Sequence, residues 1–577
     1  MKNDNGRLLF LLIVILLLGC GILSRLFFLQ ILQHNYYSAL AQGQHQLYQT
    51  LFPKRGEIFA QDLSASQRQG QDKYYPIAVN KEFSKAYIVP KNILEEEKDS
   101  LSSKLSELLG LDKEIILQRM NKKGDPYEPL KNKIDDETAG RIIELNAKGV
   151  ELSDEIWRYY PNDSLASHLI GFVGGIDNNE KIGQYGIEEY YEEELSGKEG
   201  FLTGEKDING YWIPIFGQKF EHAIDGSDLI LTIDQNIQFK AEKELSYLTE
   251  KWKAESGTII IMDSKSGAIR AMASWPNFNL NKYSEVENID VFLNPAVQKA
   301  YEPGSVFKVF TMAAGIENGK VTPLTKYIDF GEVRFGGNVI RNVDNKVYGE
   351  QTMIQVLEKS LNTGAVFVQQ ELGQDLFVEF LKRFNFDEPT GIDIVGEARG
   401  NLLNLYAGQS LDLAVISFGQ GITVTPIGLV SAFGAIANKG ILMRPFLVQK
   451  IIKSDGREIN TEPQVSGKIA SPETIKDLTK MMVSVVENGF GKPAMVNGYS
   501  IAGKTGTAQI ADLEKGGYSE DDTIHTFVGF APAFDSRFVI LVKLDKPKDI
   551  RFASDSVSPS FKNLAEYLFN YFEIPPQ

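Results

Sequence analysis

The sequence predicts an α/β (α+β) domain in its C-terminal half, preceded by a mixed α+β region and by one N-terminal transmembrane helix. Three observations carry this. Leu8–Ser24 is an apolar run of 17 residues without a charge. Residues 46–225 mix strand-like and helix-like stretches with segments rich in Gly, Tyr and Glu. From residue 257 onward, apolar strands alternate with apolar helices.

Composition narrows the function classes. The 577 residues include 60 Lys+Arg against 76 Asp+Glu, a net charge of −16. A nucleic-acid surface needs clustered cations, so no nucleic-acid partner is expected. The single cysteine, Cys20, excludes an intramolecular disulfide framework and a cysteine-rich zinc site. Nothing among the five histidines suggests a metal centre, and no cofactor is expected.

The first element is the anchor. At about 1.5 Å per residue the run from Leu8, extended to Leu32, covers a bilayer core of about 30 Å, with Arg25 snorkelling at one end. Lys2 and Arg7 precede it, and no Lys or Arg occurs between Leu26 and Pro53. The positive-inside rule then puts the tail in the cytoplasm and everything after Arg25 outside. A cleaved signal peptide would need an apolar core of about 7–15 residues and a small-residue cleavage site, which this run lacks. Residues 1–32 are therefore expected to be tail and anchor.

Further along, residues 46–60 show strand alternation around a Pro-Lys-Arg-Gly turn, and 61–74 read as a polar loop. Charged stretches near 91–124 and 130–148 have helical periodicity. Residues 157–215 suggest extended loops and short helices. Asp228–Asp234 reads as a strand, followed by a helix from Gln235 to about Trp252. The segments GTIIIMD and SGAIRAMAS form a strand pair with Lys265-Ser266-Gly267 as the turn between them. The composition shift after residue 225 divides a region 46–225 from a domain 226–577.

The most informative segment is Tyr301-Glu302-Pro303-Gly304-Ser305-Val306-Phe307-Lys308, where Pro-Gly punctuation precedes an apolar helix. Three residues apart on a helix, Ser305 and Lys308 share one face. A lysine buried in so apolar a helix loses affinity for its proton, and a neutral amine beside a hydroxyl activates it as a nucleophile. Chance alone would supply about one or two Ser-x-x-Lys pairs in such a chain; this one is alone. Ser360-Leu361-Asn362 follows 55 residues later. It offers a proton-relaying hydroxyl and an amide for a substrate; the competing structural reading is a helix end capped by Asn362 and Gly364. Another 144 residues on lies Lys504-Thr505-Gly506-Thr507, a cation and hydroxyls on a glycine-bearing strand suited to a carboxylate. The decoy Lys265-Ser266-Gly267 precedes the serine and reads as structural.

Ser-x-x-Lys, Ser-x-Asn and Lys-Thr-Gly in this order resemble the active-site serine penicillin-recognising enzymes, and the chain as a whole resembles the class B penicillin-binding proteins, the monofunctional peptidoglycan D,D-transpeptidases of division or elongation type. Arg55-Gly56-Glu57-Ile58, Arg158-Tyr159-Tyr160-Pro161 with His168, and Gly183-Gln184-Tyr185-Gly186-Ile187-Glu188 with Leu195 and Gly197 resemble motifs of the family's N-terminal pedestal. Leu231-Thr232-Ile233-Asp234, Phe418-Gly419-Gln420-Gly421 and Gly529-Phe530-Ala531-Pro532 resemble its transpeptidase framework. One departure is Phe59-Ala60-Gln61-Asp62, where the family usually carries Asp-Arg-Asn-Gly after the isoleucine. It leaves the local pedestal turn open.

The resemblance implies an elongated pedestal at 46–225, of the penicillin-binding-protein dimerisation type, and a transpeptidase domain at 226–577. It implies Ser305 as nucleophile on a D-Ala-D-Ala carbonyl, Lys308 as its base, Ser360 as proton relay and Asn362 as holder of the substrate amide. Lys504 and Thr505 would bind the terminal carboxylate, Gly506 would let the ligand approach, and the backbone N–H groups of Ser305 and Thr507 would form an oxyanion hole. Expected partners are peptidoglycan stem peptides, β-lactams, a membrane glycosyltransferase and the lipid bilayer through one span. The expected location is the bacterial cell membrane, single-pass, with an extracytoplasmic catalytic domain. Rival readings with the same serine are a β-lactam sensor and a D,D-carboxypeptidase or β-lactamase.

Overall fold

The computed structural model describes residues 4–27, 46–64, 70, 72–122, 124–176, 180–206, 212–213, 219–511 and 517–576. It divides into two compact units, Met1–Arg55 with Ser196–Gly226, and Gly56–Leu195 with Ser227–Gln577.

In the first unit, Asp4–Phe27 is a single helix. Among the described residues no helix is long and apolar enough to cross a membrane. The side chains of Leu8, Leu9 and Leu11, and the continuation of the expected span from Phe28 to Leu32, lie outside those residues. The unit also holds a four-stranded antiparallel sheet in which Gly200–Lys206 pairs with Gln46–Leu51, Lys219–Glu221 and Trp212–Ile213. The backbone N–H of Lys54 donates to Asp225 at 2.8 Å, and Gly226 N–H donates to the Lys54 carbonyl at 2.8 Å, tying the unit's two chain segments together.

The alternation read over 46–60 is two strands, but they do not form a hairpin. Ile58–Gln61 belongs to the second unit, in a seven-stranded sheet of order Glu458–Asn460, Val448–Ile452, Asp228–Asp234, Ile58–Gln61, Tyr74–Ile88, with Glu128–Ile134 and Val150–Tyr159 both pairing with Tyr74–Ile88. Ile58–Gln61 runs parallel to Asp228–Asp234; the other pairs are antiparallel. Gly56 is needed at this junction, because a Cβ there would lie 1.9 Å from the Ser227 carbonyl oxygen. The stretch that departs from the family pattern continues this strand through Gln61, and Asp62 after it is buried.

Three of the motif groups meet at this sheet. Arg158 donates to Glu188 at 2.6 Å and to the Gly56 carbonyl at 2.8 Å, and the Tyr160 hydroxyl donates to Glu188 at 3.3 Å. The pair is fully enclosed, with side-chain exposures of 3 % and 0 %.

Helices Lys98–Leu109, Lys113–Met120 and Asp136–Glu144 enclose a small core of Leu101, Leu105, Leu109, Ile116 and Ile142. The periodic stretch 130–148 is therefore helical only in its middle. Glu128–Ile134 is a strand that buries Leu130 and Ile134, and Asp135 caps the helix by accepting from Thr138 N–H at 2.7 Å. Over 157–215 the short helices Ser167–Ile170, Gly186–Tyr190 and Glu192–Ser196 are joined by a hairpin of Phe172–Ile176 with Glu180–Gln184.

The larger part of the second unit is built on a five-stranded antiparallel sheet of order Ile269–Trp275, Ser256–Asp263, Phe538–Asp545, Tyr518–Ala531, Ala502–Ala511. Strands Ser256–Asp263 and Phe538–Asp545 are buried along nearly their whole length without alternation because both faces of the sheet are covered. Ile259, Ile261, Val542 and Leu544 pack under helices Gln235–Lys251 and Ser558–Tyr571. Ile260, Met262, Val539 and Leu541 face the other core with Phe310 of helix Lys308–Glu317 and Phe433 of helix Pro426–Ala437. Lys265-Ser266-Gly267 is a structural turn: Asp263 accepts from the N–H groups of Lys265 and Ser266, and Gly267 sits at φ +84°.

Candidate active site

Ser305 lies in the short 3₁₀ turn Gly304–Phe307, which runs directly into helix Lys308–Glu317. Every residue of that helix from Lys308 to Gly315 is buried, so the apolar sequence that suggested a core helix also buries Lys308, which is 1 % exposed. The turn is held by a close backbone approach. Gly304 N–H donates to the Gly419 carbonyl at 2.9 Å, and a Cβ on Gly419 would lie 2.1 Å from the Gly304 oxygen. This makes the Phe418-Gly419-Gln420-Gly421 segment a brace for the turn that carries Ser305.

Lys504 extends from the edge strand Ala502–Ala511, and Ser360 from the turn between helices Met353–Glu358 and Asn362–Lys382. Three residues distant in sequence converge here. The Lys308 amine is 3.0 Å from Ser305 Oγ, 3.2 Å from Ser360 Oγ and 2.5 Å from the Ser360 carbonyl oxygen. The Lys504 amine, itself fully buried, is 3.0 Å from Ser360 Oγ, 3.0 Å from the Thr505 carbonyl and 3.4 Å from Thr505 Oγ1. The Ser360 hydroxyl thus bridges the two lysines.

Burial, and secondarily the neighbouring Lys504 charge, hold the Lys308 amine well below the usual lysine range. Burial brings Lys504 down to about 7. The Lys308 amine donates to Ser305 Oγ and to the Ser360 carbonyl, so a lysine of lowered proton affinity stands beside the hydroxyl, the juxtaposition expected from the sequence.

The remaining candidates fall around the same point. Gly506 is required by packing, because a Cβ there would lie 2.9 Å from the Pro303 carbonyl oxygen and 3.0 Å from Val306 Cγ1. Strand Ala502–Ala511 can thus lie against the turn that carries Ser305. The Thr507 hydroxyl accepts from Ala553 N–H at 3.1 Å. Asn362 opens helix Asn362–Lys382 rather than capping a helix end, and its amide donates to the Arg341 carbonyl at 2.8 Å. Gly364, the other residue of that capping alternative, is a close-approach glycine: a Cβ would lie 2.4 Å from Val356 Cγ2.

These groups open onto a cleft of about 310 Å³ lined by Ser305, Ser360, Thr505 and Thr507, together with Asn342, Val343, Asp344, Phe490 and Phe552. The sequence reading missed this second set. Asn342–Asp344 follow the hairpin strand Asn338–Arg341, and Phe490 follows helix Pro472–Asn488, where its N–H donates to the Glu358 carbonyl at 3.0 Å. Neither segment carries a spacing that marks it as part of a site.

Residues 257–566 match the penicillin-binding protein transpeptidase domain, and residues 50–231 match the penicillin-binding protein dimerisation domain. The chain is 32 % identical over 564 residues to stage V sporulation protein D of Bacillus subtilis, covering 97 % of this chain and 84 % of that protein. It is 28 % identical over 577 residues to the probable peptidoglycan D,D-transpeptidase PenA of Neisseria meningitidis, covering 100 % and 94 %. In fold it is similar to the crystal structure of penicillin-binding protein 3 of Mycobacterium tuberculosis complexed with aztreonam, with a TM-score of 0.69, 23 % identity, and 92 % and 98 % of the two chains covered. A dimerisation domain leading into a transpeptidase domain, along almost the full length of a relative above 30 % identity, gives the family: the chain belongs to the class B penicillin-binding proteins.

Proposed function

We propose that this protein cross-links peptidoglycan stem peptides by D,D-transpeptidation, with Ser305 as nucleophile. The observation that carries the residue assignment is the 3.0 Å approach of the buried Lys308 amine to Ser305 Oγ. The neutral amine takes the Ser305 proton as Oγ attacks the carbonyl between the two D-alanines. As the tetrahedral intermediate collapses, the carbon–nitrogen bond breaks, and Ser360 passes a proton from the lysine pair to the leaving amine. An amino group of a second stem peptide then attacks the ester, forming the cross-link and returning the serine. Lys504 and Thr505 receive the terminal carboxylate, Asn362 the substrate amide, and the Ser305 and Thr507 N–H groups the oxyanion, each such donor being worth about 2.7–4 kcal/mol. A β-lactam presents the same carbonyl and carboxylate and stalls at the acyl-enzyme.

The same reading puts the chain in the bacterial cell membrane by a single span within residues 1–32, with residues 46–225 as a pedestal beneath the transpeptidase domain 226–577. It makes a membrane glycosyltransferase, the source of the glycan strands, the natural partner. The uncharged run of Leu8–Ser24 and the charge asymmetry around it support the span.

The test is labelling of the full chain with a fluorescent penicillin, followed by peptide mapping. A long-lived adduct on Ser305, absent in Ser305→Ala, is the expected result; an adduct elsewhere overturns the assignment. Rapid hydrolysis of the adduct would favour a β-lactamase. Release of D-alanine without cross-linked product would favour a carboxypeptidase, and a stable adduct without any peptide turnover would favour a sensor.

The two lysines also set a pH profile. Acylation needs Lys308 without its proton and Lys504 with one, so the second-order rate constant rises as Lys308 deprotonates and falls as pH rises through about 7, where Lys504 loses its charge. Stopped-flow acylation with a carboxylate-bearing β-lactam checks this. A profile still climbing well above that pH would exclude Lys504 as a cationic receptor.

A further inference from the structure

Asp329 ends the strand Lys326–Asp329 and is completely buried, yet among the described residues it has no ion pair. A carboxylate in that position has to be satisfied by hydrogen bonds alone. It accepts from Gly331 N–H at 3.0 Å, Tyr348 N–H at 2.9 Å, the Asn342 amide at 3.1 Å and the Thr363 hydroxyl at 2.8 Å. Two of these donors belong to the segments that carry the site, Asn342 in the cleft wall and Thr363 next to Asn362. Asn342, 2 % exposed, is part of the cleft wall beside Val343 and Asp344. Thr363 follows Asn362 in the first turn of its helix, and its N–H donates to Asn342 Oδ1 at 3.3 Å. Asn362 in turn donates to the carbonyl of Arg341, the neighbour of Asn342.

The wall and the Ser-x-Asn turn are therefore two sides of one knot, with the Asp329 carboxylate at its centre. The turn needs such support. Ser360 has φ +54°, in the left-handed region that a residue with a side chain occupies at a cost, and its hydroxyl has to stand 3.2 Å from one lysine and 3.0 Å from the other. We propose that Asp329, acting through Asn342 and Thr363, is a positioning residue for the transpeptidase reaction. It locks Ser360 and Asn362 against the cleft wall, so that the hydroxyl relay between Lys308 and Lys504 is set before substrate arrives.

This inference rests on the reading of Ser305 and Ser360 given above, and the experiment separates the two. In detergent-solubilised full chain, the dissociation constant of the initial penicillin complex, the acylation rate constant and the melting temperature are measured for the native protein, Thr363→Val, Thr363→Ser and Asp329→Asn. Valine keeps the volume of threonine and removes the hydroxyl; serine keeps the hydroxyl. Thr363→Val should acylate about 10²-fold more slowly, the size of effect produced by misplacing a group by about 1 Å, with the initial dissociation constant within about twofold of native. Thr363→Ser should regain most of the rate. Asp329→Asn, whose amide must face one of the donors, should show the same split, and it stands as the second probe if Thr363→Val fails to fold.

Acylation at the native rate in Thr363→Val or Asp329→Asn overturns the proposal. So does a Thr363→Ser variant as slow as Thr363→Val, or a loss confined to the melting temperature. If the native adduct maps away from Ser305, the functional reading fails instead.

Discussion

Lys308→Arg is expected to slow acylation of Ser305 by about 10²–10⁴-fold, the usual cost of losing a general base. The substitution keeps the charge and removes the chemistry. Lys308 is 1 % exposed, and its amine already has Ser305 Oγ, Ser360 Oγ and the Ser360 carbonyl within 3.2 Å. Burial and Lys504 pull its proton off readily, whereas a guanidinium holds its proton at any working pH and cannot accept another. The loss belongs in the acylation rate constant rather than in initial binding, because the proton moves only as the bond forms. Rapid-mixing kinetics with a fluorescent penicillin distinguish the two. Near-native acylation by the arginine enzyme would remove lysine from the proton-accepting role.

The second large effect is on stability. Arg158→Ala removes the cation that faces Glu188 at 2.6 Å in a site enclosed from water, and the Gly56 carbonyl loses its donor. Breaking one side of a buried ion pair costs about 3–5 kcal/mol. Denaturant unfolding of the full chain should show that loss, and replacing both partners, as in Arg158→Met with Glu188→Leu, should recover much of it. A single Arg158→Ala variant with native stability would mean that water or a neighbour satisfies Glu188 after all. Because this pair lies in the segment Gly56–Leu195 and not at the cleft, the folded fraction should acylate normally.

Part of the candidate site was legible in the sequence because the proposed chemistry restricts residue type. An activated serine needs a lysine one helical turn away, so Ser305 and Lys308 declare themselves locally. Ser360 and Lys504 could be paired with them only through the family's motif order, since no local rule brings residues so far apart to the same 3.2 Å sphere. Asn342 and Asp329 left no trace, for a physical reason: the carboxylate's donors, two backbone N–H groups and the side chains of Asn342 and Thr363, lie 2 to 34 residues away at no regular spacing, so no local pattern marks them. The same reasoning explains the fold. Strands Ser256–Asp263 and Ile269–Trp275 were readable as a local hairpin with an Asp263-anchored turn, whereas Ile58–Gln61 looked like half of a hairpin until its partners proved to be Tyr74–Ile88 and Asp228–Asp234. The start of the stretch 130–148 took on helical periodicity because Leu130 and Ile134 are four apart; Asp135 shows where the helix begins.

The pairing of Ile58–Gln61 in parallel with Asp228–Asp234, and of the latter in antiparallel with Val448–Ile452, bears on the order in which the protein can be made. A ribosome delivers the N-terminal residues first, yet Ile58–Gln61 receives one neighbour about 170 residues later, and that neighbour receives its own after more than 200 further residues. Such distant pairing is slow to form. Until the later strands emerge, one edge of the early sheet stands open to whatever else is nearby, which is the state in which strands of different chains join. A chain stopped anywhere before residue 228 should therefore aggregate rather than wait as a finished pedestal, which sedimentation of the truncated protein checks.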